Sequence, residues 1–509
     1  MNVINTPDPV AAKGAYRPHE ILVRTAPGPH LQSDLATELN AQVLDRIDIG
    51  RKGLEDPGSL LHLRLPDEAD VADTLSRLDA DPRVQYATPN HVFTLDEARR
   101  PDDLTEELWG LKAIDAPGAW SVTTGSRTGP VIAVLDTGVD PDHPDLAANL
   151  WTNPGEIPGN GKDDDGNGVV DDVHGYYPAR DSGDIRDGHR HGTHTAGTIG
   201  AVGNNGQGVV GINWEARIMP IKIFDDSGKT DAASIIKGVQ YADKMGARIT
   251  SNSWGGTVRN PAIEEAFRNS PALHIAAAGN SRKDTDLTGH YPSAFDIPNM
   301  VAVAATDPKD NLASFSNYGA TTVDLAAPGV NILSTVPGGK TEQLNGTSMA
   351  CPHVSGVAAL IATAYPQASN EEIKRRLLTG VDRVDGLAGK VATGGRLNAA
   401  SALENDTVPP GAPTGLSVGK TDSRSLTLKW RASGDDQNRG RAAAYDLRLS
   451  EQPILDERSF EQATRVPAGE PGESGSQQSA RVDLTPSGFD RTVYVALKAI
   501  DNVGQASPM

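Results

Sequence analysis

Three segments of the chain each place a reactive side chain on a glycine-flanked turn. Asp136 follows an apolar run in VIAVLDTGVD, His191 begins a run of small residues in HRHGTHTAGTIG, and Ser348 follows a Gly-Thr turn in NGTSMACPHVSG. A serine nucleophile, a histidine general base and a carboxylate that orients the histidine are the groups that acyl transfer requires. The residues therefore predict acyl-transfer chemistry, provided that the fold brings the three segments together.

Two of these segments predict an element that exposes the reactive group. Residues 131–135 are typical of an apolar strand, which delivers Asp136 at its carboxyl end, the edge where open α/β sheets carry their chemistry. Residues 349–364 are typical of an apolar helix, with Pro352 near the first turn, where proline is tolerated. Ser348 then stands at the start of this helix, where the helix dipole favours negative charge.

The three motifs and their order resemble those of the subtilisin-like serine proteases, and the similarity extends over about residues 108–403. The resemblance implies that Ser348 is the nucleophile, His191 the general base and Asp136 the orienting carboxylate. It also implies that Asn280, in HIAAAGN, forms an oxyanion hole together with the backbone N–H of Ser348. An asparagine that only caps a strand is the alternative.

The resemblance further implies where a peptide substrate binds. The segment SNSWGG would contact one edge of an extended peptide, and residues 228–230 would form the opposite edge, so that the peptide is held as a middle strand. The implied substrate-binding residues are Gly228, Lys229, Thr230, Ser253, Trp254 and Gly255. Trp254 is equally compatible with a pocket wall and with an ordinary core position.

Two other interpretations involve the same segments. His189, His191 and His194, with His174 available, are of the type that ligates zinc, but the HGTH segment has no glutamate as in a metalloprotease helix. We favour His191 as the base and expect His194 to be buried and bonded to the backbone. Cys351 lies shortly after the predicted nucleophile, and we expect it to pack in the helix rather than react as a thiol.

The acidic segment NPGEIPGNGKDDDGNGVVDD predicts a cation site. Its oxygen-bearing residues alternate around a glycine turn, as in the first seven positions of an EF-hand loop, but the twelfth position is His174 instead of glutamate. The predicted ligands are Asp163, Asp165, Asn167, the carbonyl of Val169, and Asp171 or Asp172. We therefore predict a calcium loop outside a helix-loop-helix context, with a merely solvated acidic loop as the alternative.

The resemblance suggests a second calcium site. Asp145 in PDHPDL and Asn205 in GNNGQG fall where many subtilisin-like enzymes share a calcium ion between two loops. The sequence does not complete the ligand set of this site. No organic cofactor is expected.

Composition restricts the possible functions. The 47 Lys and Arg residues against 67 Asp and Glu residues give a net charge of −20, so we expect no nucleic-acid partner. No apolar run approaches the roughly 18 residues that a membrane helix needs, so we expect no membrane span. A single cysteine excludes an internal disulfide, which leaves packing and oxygen-bound ions as sources of stability. We expect a monomer.

Localisation is inferred from charge and from the start of the chain. An acidic chain fits a secreted, salt-exposed or calcium-binding protein, and we expect an extracellular location. Residues 1–16 lack the basic stretch and apolar core of a secretory signal. The expectation is therefore that export uses another route or that a signal has been lost.

Between about residues 108 and 403, apolar strands alternate with helical segments. This alternation predicts a parallel sheet covered by helices on both faces. The predicted strands are residues 131–135, 217–223, 248–251, 274–278 and 300–304. The fold class is thus α/β, with the catalytic domain spanning residues 99–405.

Residues 16–98 predict a ferredoxin-like α+β unit, preceded by a loose tail at residues 1–15. A strand at Ile21 and Val23, a helix over residues 31–44, a strand over 61–65, a helix over 71–78 and a strand over 84–86 approach β-α-β-β-α-β order. The unit resembles the inhibitory prodomains of secreted subtilisin-like enzymes. The resemblance implies a zymogen in which residues 84–95 cross the active site; an unrelated ferredoxin-like binding module is the alternative.

Beyond the catalytic domain, residues 406–413 (DTVPPGAP) predict a linker and residues 414–509 an all-β sandwich with alternating strands. The sandwich resembles a fibronectin type III domain, although Tyr494 is out of phase for the tyrosine found at many sandwich corners. Residues 468–479 predict a mobile loop. Residues 505–509 would either pair briefly or precede further chain.

Together these features predict a secreted, calcium-stabilised serine endopeptidase that is made as a self-processing zymogen. Its partners would be polypeptide substrates and its own prodomain, which acts as an intramolecular inhibitor. Two other functions remain open from the sequence. An inactive scaffold could bind through the sandwich domain, and the histidines could support metal-dependent hydrolysis.

Overall fold

The computed structural model describes residues 16–25, 31–47, 60–67, 69–79, 81–91, 100–405, 408–421, 425–435, 437–469, 471–484, 492–501 and 505–509. The chain divides into two compact units, Met1–Glu97 and Ala98–Met509. The predicted tail at residues 1–15, residues 92–95 of the predicted inhibitory segment, and residues 406–407 of the predicted linker lie outside the described residues.

The N-terminal unit is an antiparallel sheet packed against helices. Its elements are β1 (Tyr16–Thr25), α1 (Leu31–Glu38), β2 (Gln42–Ile47), β3 (Leu60–Arg64), α2 (Val71–Asp79) and β4 (Val84–His91). The strand order β2-β3-β1-β4 is that of a ferredoxin-like fold. Alternate residues such as Ile21, Val23 and Leu61 face a core that also contains Leu35 and Leu75 from the helices. The predicted α+β class of this unit is confirmed.

The helix predicted over residues 31–44 is too long. Helix α1 ends at Glu38, and residues 42–44 belong to β2. Asn40 adopts φ +49°, the left-handed conformation that commonly follows a helix end, and the N–H of Ala41 donates to the carbonyl of Ala36 at 2.9 Å. This turn redirects the chain into a strand whose apolar positions happen to continue the helical spacing.

The second unit begins with the predicted catalytic domain, which is built on an eight-stranded sheet of order β13-β14-β10-β9-β8-β7-β5-β6. The strands of the domain, which include two outside this sheet, are β5 (Val131–Asp136), β6 (Arg217–Lys222), β7 (Ala247–Asn252), β8 (Leu273–Ala277), β9 (Met300–Thr306), β10 (Leu325–Pro328), β11 (Ile332–Val336), β12 (Lys340–Leu344), β13 (Asp382–Arg383) and β14 (Gly395–Arg396). Strands β11 and β12 form a separate hairpin. Strands β5 to β10 of the main sheet run parallel.

Helices cover both faces of this sheet. They are α3 (Trp109–Ala113), α4 (Ala116–Trp120), α5 (His191–Gly200), α6 (Ala232–Lys244), α7 (Pro261–Asn269), α8 (Thr285–Thr288), α9 (Thr347–Ala364), α10 (Asn370–Thr379) and α11 (Ala399–Ala402), with short 3₁₀ segments at Ala147–Asn149 and Asp385–Leu387.

The alternation of β5 shows why the sheet is covered on both faces. Ile132 and Val134 join the core beneath α5 and α9, whereas Ala133 and Leu135 join the core beneath α6 and α7. A parallel strand that is buried on both faces reads as a continuous apolar run, which is how residues 131–135 read in the sequence. The predicted parallel sheet is confirmed, and the carboxyl ends of its strands lie along one edge.

Helix α9 is long and apolar enough to cross a membrane by length and composition. The sequence predicted an apolar helix over residues 349–364 but no membrane span. Most of α9 is buried against the sheet, and residues such as Val354, Val357 and Leu360 are fully enclosed. Such burial is typical of a core helix in a folded domain.

The C-terminal region of the second unit consists mainly of antiparallel β-sheet, with a short helix. Its elements are β15 (Thr414–Thr421), β16 (Ser425–Arg431), β17 (Ala444–Ser450), α12 (Glu457–Gln462), β18 (Thr464–Val466), β19 (Gln477–Asp483) and β20 (Tyr494–Ile500). They form two three-stranded antiparallel sheets of order β15-β16-β19 and β18-β17-β20, around a core that includes Trp430 and Leu447. The all-β class is confirmed.

Two details of this region differ from expectation. Residues 477–479 belong to β19, because they pair with β16, so the predicted loop is shorter than residues 468–479. Leu416 and Val418 are 37% and 58% exposed rather than turned into the core. Ala506 pairs with Ile500, so the chain does make a brief final bridge. The fibronectin type III identity stays a prediction.

Candidate active site

Asp136 is the last residue of β5 and is buried. Its Oδ1 accepts the N–H of Thr137 at 2.7 Å, and its Oδ2 accepts the hydroxyl of Thr195 at 3.3 Å. These donors come from the next residue and from α5. These two hydrogen bonds therefore fix the carboxylate between the end of β5 and helix α5.

His191 begins α5 and receives this carboxylate. Its Nδ1 lies 2.7 Å from Asp136 Oδ1. The first turn of α5 packs closely against the turn that follows β5. This close packing requires glycine, because a Cβ on Gly192 would lie 2.1 Å from the carbonyl oxygen of Gly138. Burial disfavours the imidazolium, but the charge and the hydrogen bond of Asp136 outweigh burial and raise the pKa of His191 above its ordinary value.

Ser348 lies in the first turn of α9, as the sequence predicts. Its hydroxyl donates to the carbonyl of Ser253 at 2.9 Å, and the hydroxyl of Ser253 donates to the carbonyl of Ser348 at 2.8 Å. A hydrogen bond between Ser348 and His191 is not among those made by the described residues. In free enzymes such a bond is often loose and forms fully only with substrate.

Asn280 follows β8 closely and faces the start of α9. Its Oδ1 accepts both the N–H of Thr347 at 2.8 Å and the hydroxyl of Thr347 at 3.0 Å. Two donors on the oxygen fix the orientation of the amide, so its NH₂ group points away from Thr347. Asn280 is exposed, and its Nδ2 is therefore open to a ligand beside Ser348.

The predicted strand-binding segment 253–255 follows β7. Trp254 is half-buried and packs at the margin of a core cluster, with its ring 6.2 Å from that of Phe224 and 6.3 Å from that of Phe267. A Cβ on Gly255 would lie 2.3 Å from Cε1 of His290, so only glycine fits there. The backbone at Gly255 is exposed, which leaves it accessible to a peptide.

The opposite predicted edge, residues 228–230, is an exposed turn. The N–H of Lys229 donates to Oδ1 of Asp225 at 3.0 Å, and the N–H of Asp225 donates to the carbonyl of Lys229 at 2.9 Å. Gly228 has φ +74°, and a Cβ there would lie 3.8 Å from Nε2 of His189. The turn, including Thr230, thus lies beside the loop that leads into His191.

The histidines do not gather as a zinc site would require. The rings of His189 and His191 lie 6.4 Å apart, and His194 points its Nε2 at the carbonyls of Ile332 and Glu342. Burial lowers the pKa of His194 to about 4. His194 is thus a neutral side chain that is bonded to the backbone, as the sequence analysis expected.

Cys351 is fully buried in α9. Its Sγ contacts the carbonyl of Ile275 at 3.4 Å, and burial raises the pKa of its thiol. A neutral, enclosed thiol fits a packing role.

A cluster of carboxylates in the acidic segment could bind a metal ion. Oxygen atoms of Glu156, Asp165 and Asp172 all lie within 4.8 Å of one another, and Glu156 and Asp172 are buried. Oε2 of Glu156 is buried without a hydrogen-bond partner. An orphaned carboxylate oxygen among other oxygen ligands fits a hard cation.

Polar side chains surround this cluster. Asn153 Nδ2 donates to Asp165 Oδ2 at 2.9 Å and to Asp172 Oδ1 at 3.1 Å, and Asn167 Nδ2 donates to the same two carboxylates. The hydroxyl of Tyr241 donates to Oδ2 of Asp172. Sequence reasoning missed Glu156, whose only signal was an acidic residue upstream of the aspartate run.

Other predicted ligands of the acidic segment lie outside this cluster. Asp163 accepts backbone N–H groups of the following turn, at 3.0 and 2.9 Å, and Asp171 accepts backbone N–H groups of residues 160 and 161. The Val169 side chain is buried in the core. Short loop carboxylates commonly cap turns of their own backbone in this way, and the EF-hand-like ligand set stays a prediction.

The second predicted site brings Asp145 and Asn205 together. Asn205 Nδ2 donates to Asp145 Oδ1 at 2.8 Å, and the N–H of Val209 donates to Asp145 Oδ2 at 2.9 Å. Asp103 joins them, because its Oδ2 accepts the N–H of Asn205 at 3.3 Å while its Oδ1 is buried without a partner. Burial raises the pKa of both Asp103 and Asp145. Sequence reasoning missed Asp103.

Comparisons with known proteins agree with this geometry. Residues 127–401 match the model of the subtilase family, and residues 4–90 match that of the fervidolysin N-terminal prodomain. Thermitase of Thermoactinomyces vulgaris is 37% identical over 60% of this chain and 99% of its own sequence. A thermophilic serine proteinase of a Bacillus species is 33% identical over 75% of this chain and 90% of its own sequence.

A solved structure is also similar. A protease from Pseudoalteromonas arctica matches 60% of this chain and 99% of its own, with 28% sequence identity and a TM-score of 0.50. The matched segments include every residue of the Asp136, His191 and Ser348 motifs, since all three lie within residues 127–401.

Proposed function

Because the chain belongs to the subtilase family and is a subtilisin-like serine endopeptidase, we propose that Asp136, His191 and Ser348 are its catalytic triad. The observation that carries the proposal is the 2.7 Å contact between His191 Nδ1 and the buried carboxylate of Asp136. This contact leaves Nε2 as the basic nitrogen of the neutral imidazole. A base in that tautomer is what a serine nucleophile requires.

In the proposed reaction, Ser348 Oγ attacks the carbonyl carbon of the scissile peptide bond while His191 Nε2 takes the hydroxyl proton. The C–O bond forms as the carbonyl π electrons move to oxygen. His191 then gives the proton to the leaving nitrogen, the C–N bond breaks, and an acyl-enzyme remains. Water repeats the sequence and releases the acid. Asp136 stays ionised and stabilises the imidazolium in each half of the reaction.

Asn280 would supply the oxyanion hole together with the backbone N–H of Ser348. The support for this role is the fixed amide, whose Oδ1 is held by Thr347 and whose NH₂ group is exposed beside the nucleophile. A donor that is already oriented stabilises the developing oxyanion without reorganisation.

Substrate would bind as an extended strand between two exposed backbone edges. Gly255 supports one edge, because it lacks a side chain and is exposed, and residues 228–230 support the other. Main-chain hydrogen bonds would then supply affinity, and pockets for alternate side chains would supply selectivity. We assign Ser253, Trp254 and Lys229 to this surface.

The N-terminal unit is a prodomain by family, and a prodomain implies a zymogen. We propose that it inhibits the protease domain intramolecularly and that the enzyme removes it by its own Ser348. The full-length Ser348→Ala variant should therefore keep its prodomain when it is expressed alone. Loss of the prodomain from that variant would assign processing to another protease.

We propose that Glu156, Asp165 and Asp172 hold a calcium ion. Support comes from the oxygen-only donor set and from the orphaned Oε2 of Glu156. Bound calcium would neutralise the cluster and so stabilise the folded loop. Asp103, Asp145 and Asn205 are proposed as a second, structural calcium site, because two buried carboxylates are each bonded to Asn205 and Oδ1 of Asp103 is buried without a hydrogen-bond partner.

The remaining parts of the proposal concern context. We propose that the enzyme is extracellular and monomeric, that it acts on polypeptides, and that residues 414–509 form a fibronectin type III-like domain beyond a linker at residues 406–413. The acidic net charge of −20 supports the first point. Two three-stranded antiparallel sheets support the last.

A fluorophosphonate probe tests the catalytic assignment. The full-length chain is incubated with the probe, digested and analysed by mass spectrometry for the modified serine. We expect modification of Ser348 alone, no modification of Ser348→Ala, and normal modification of Ser281→Ala, which changes an exposed serine close by. Modification at another serine, or none in the active enzyme, would overturn the assignment.

A further inference from the structure

A second buried carboxylate lies behind the loop that carries the proposed general base. Asp187 is 8% exposed and lies in the loop shortly before His191. In the described part of the chain it makes no ion pair with a lysine, arginine or histidine. Instead, its two oxygens are surrounded by hydrogen-bond donors.

These donors belong to residues on both sides of His191 in the chain. Oδ1 accepts the N–H groups of His189 and Arg190, each at 2.9 Å. Oδ2 accepts the N–H of Thr193 at 3.0 Å and its hydroxyl at 2.7 Å. The carboxylate thus bonds the backbone before and after His191, which stands between these donors in the chain.

Arg190 shows what this arrangement holds in place. It has φ +96°, a left-handed conformation that a bulky side chain rarely adopts. Its N–H is bonded to Asp187, and its guanidinium pairs with Glu342 at 3.1 Å. A strained residue next to a functional side chain persists only when its surroundings hold it there. The unusual turn sets the direction in which His191 leaves the backbone.

Asp187 is also linked, through Thr137, to the strand end that carries Asp136. Its Oδ1 accepts the hydroxyl of Thr137 at 2.9 Å, and Thr137 Oγ1 in turn accepts the N–H of Gly192 at 2.9 Å. Thr137 is the residue after Asp136. One side chain therefore connects the strand end that carries Asp136 to the helix start that carries His191.

We propose that Asp187 is a positioning residue for the general base, which holds His191 against Asp136 and faces the imidazole with a second negative charge. The proposal rests on the proposed function, because it assigns a role within the same triad. It concerns the loop that orients His191: the hydrogen bonds of Asp187 among the described residues go to this loop and to Thr137, not to the side chains of His191 or Ser348.

The electrostatic consequence has a definite sign. Burial lowers the pKa of His191, and the charges of Asp136 and then Asp187 raise it, while Arg190 lowers it. The titratable or charged groups that face His191 are Asp136 on β5, Asp187, His189 and Arg190 in the preceding loop, and His194 on α5. Neutralising Asp187 removes support for the imidazolium. The acid limb of activity, which follows the protonation of the base, should then move to lower pH.

The test compares Asp187→Asn with the parent full-length chain on a peptide substrate between about pH 4 and pH 9, where a histidine base titrates. We expect kcat to fall about 10- to 100-fold with KM nearly unchanged, as for other groups that orient a reactive side chain. We also expect the acid limb of kcat/KM to move down by at least about half a pH unit. The matched control, Asp184→Asn, makes the same charge change at an exposed residue of the same loop and should alter neither quantity.

Each outcome bears on the proposal. An unchanged acid limb, or a shift equal to that of Asp184→Asn, would overturn it even if kcat fell, because a merely structural residue would give that result. If Asp187→Asn does not fold, Thr137→Val decides instead, since it breaks the link to the Asp136 strand and keeps the Asp187 charge. Because Thr137→Val keeps the Asp187 charge, we expect kcat to fall while the acid limb stays at its parent position; an unchanged kcat or a moved acid limb would overturn the proposal. Modification of Ser348 by the fluorophosphonate in the parent chain separates these failures from a failure of the proposed function.

Discussion

Two groups of carboxylates in the protease domain are built in opposite ways. At the proposed active site, the oxygens of Asp136 accept hydrogen bonds from Thr137, Thr195 and His191. In the acidic segment, Glu156, Asp165 and Asp172 converge on one another, and Oε2 of Glu156 is left buried without a donor. Among the described residues, the chain supplies donors to both oxygens of Asp136, whereas in the acidic cluster it leaves Oε2 of Glu156 without one.

This difference predicts how each group fails. A carboxylate whose donors the chain supplies keeps its geometry whether or not a cation is present. Three convergent carboxylates that are bonded only by neutral donors repel one another until a cation neutralises them. Mutations at the active site should therefore change rate with little change in stability, and mutations at the acidic cluster should change stability with little change in rate.

The largest effect is expected for Asp136→Asn. The near-isosteric amide keeps the packing but favours the wrong imidazole tautomer, so kcat should fall by about 10⁴-fold. Thermal unfolding should change little. Asp142→Asn, an exposed neighbour paired with Arg186, serves as the control and should keep full activity. A stability loss as large as the rate loss would contradict the separation of the two groups.

Asn280→Ala should have the next largest effect. Loss of one oxyanion donor costs about 10²- to 10³-fold in kcat, with little change in KM. Because alanine also removes the acceptor for Thr347, Asn280→Asp is measured beside it; aspartate keeps that acceptor and lacks the NH₂ donor. Both variants should lose turnover. Normal turnover in either one would remove Asn280 from the oxyanion hole.

The smallest effect is expected in the acidic cluster, and it concerns stability. In the parent, calcium at a hundredfold excess over Kd stabilises the fold by about 2.7 kcal/mol per site. Glu156→Gln should lose most of the contribution from this cluster, yet it should be at least as stable as the parent after chelation, since one repelling charge is gone. Thermal unfolding with calcium and with chelator gives both values.

Asp163→Asn is the matched control in the same loop. Asp163 caps its own backbone and lies outside the cluster, so its variant should respond to calcium nearly as the parent does. Equal calcium responses in Glu156→Gln and the parent would contradict the assignment of this cluster as an ion site. A lost response in Asp163→Asn alone would favour the EF-hand-like ligand set instead.

Most of the fold could be predicted because the periodic patterns were strong. The apolar run at residues 131–135 and the alternation of β16 and β17 each match a strand in the structure. Helix α1 was predicted too long because nothing in residues 31–44 except Asn40 marks its end. Short strands such as β13 and β14 were missed, since two residues have no detectable period.

The two sites differed in how far the sequence could predict them. Asp136, His191 and Ser348 lie in distinctive motifs, and the Asp136–His191 contact required only the parallel sheet that the pattern already predicted. The acidic cluster could not be assembled in the same way, because Glu156 and Asp172 meet only after a loop folds back on itself. Asp187 was missed for a related reason. Its proposed role depends on hydrogen bonds from backbone N–H groups, and residue types do not show which backbone groups a side chain will meet after folding.

The most direct test of the account measures the rate at which a fluorophosphonate modifies Ser348 with calcium and after chelation. Both measurements are made at a temperature well below either unfolding transition. The account predicts equal rates of modification, although the chelated protein unfolds at a lower temperature, because the active site is organised by the chain alone. A folded, chelated protein in which Ser348 no longer reacts would contradict it.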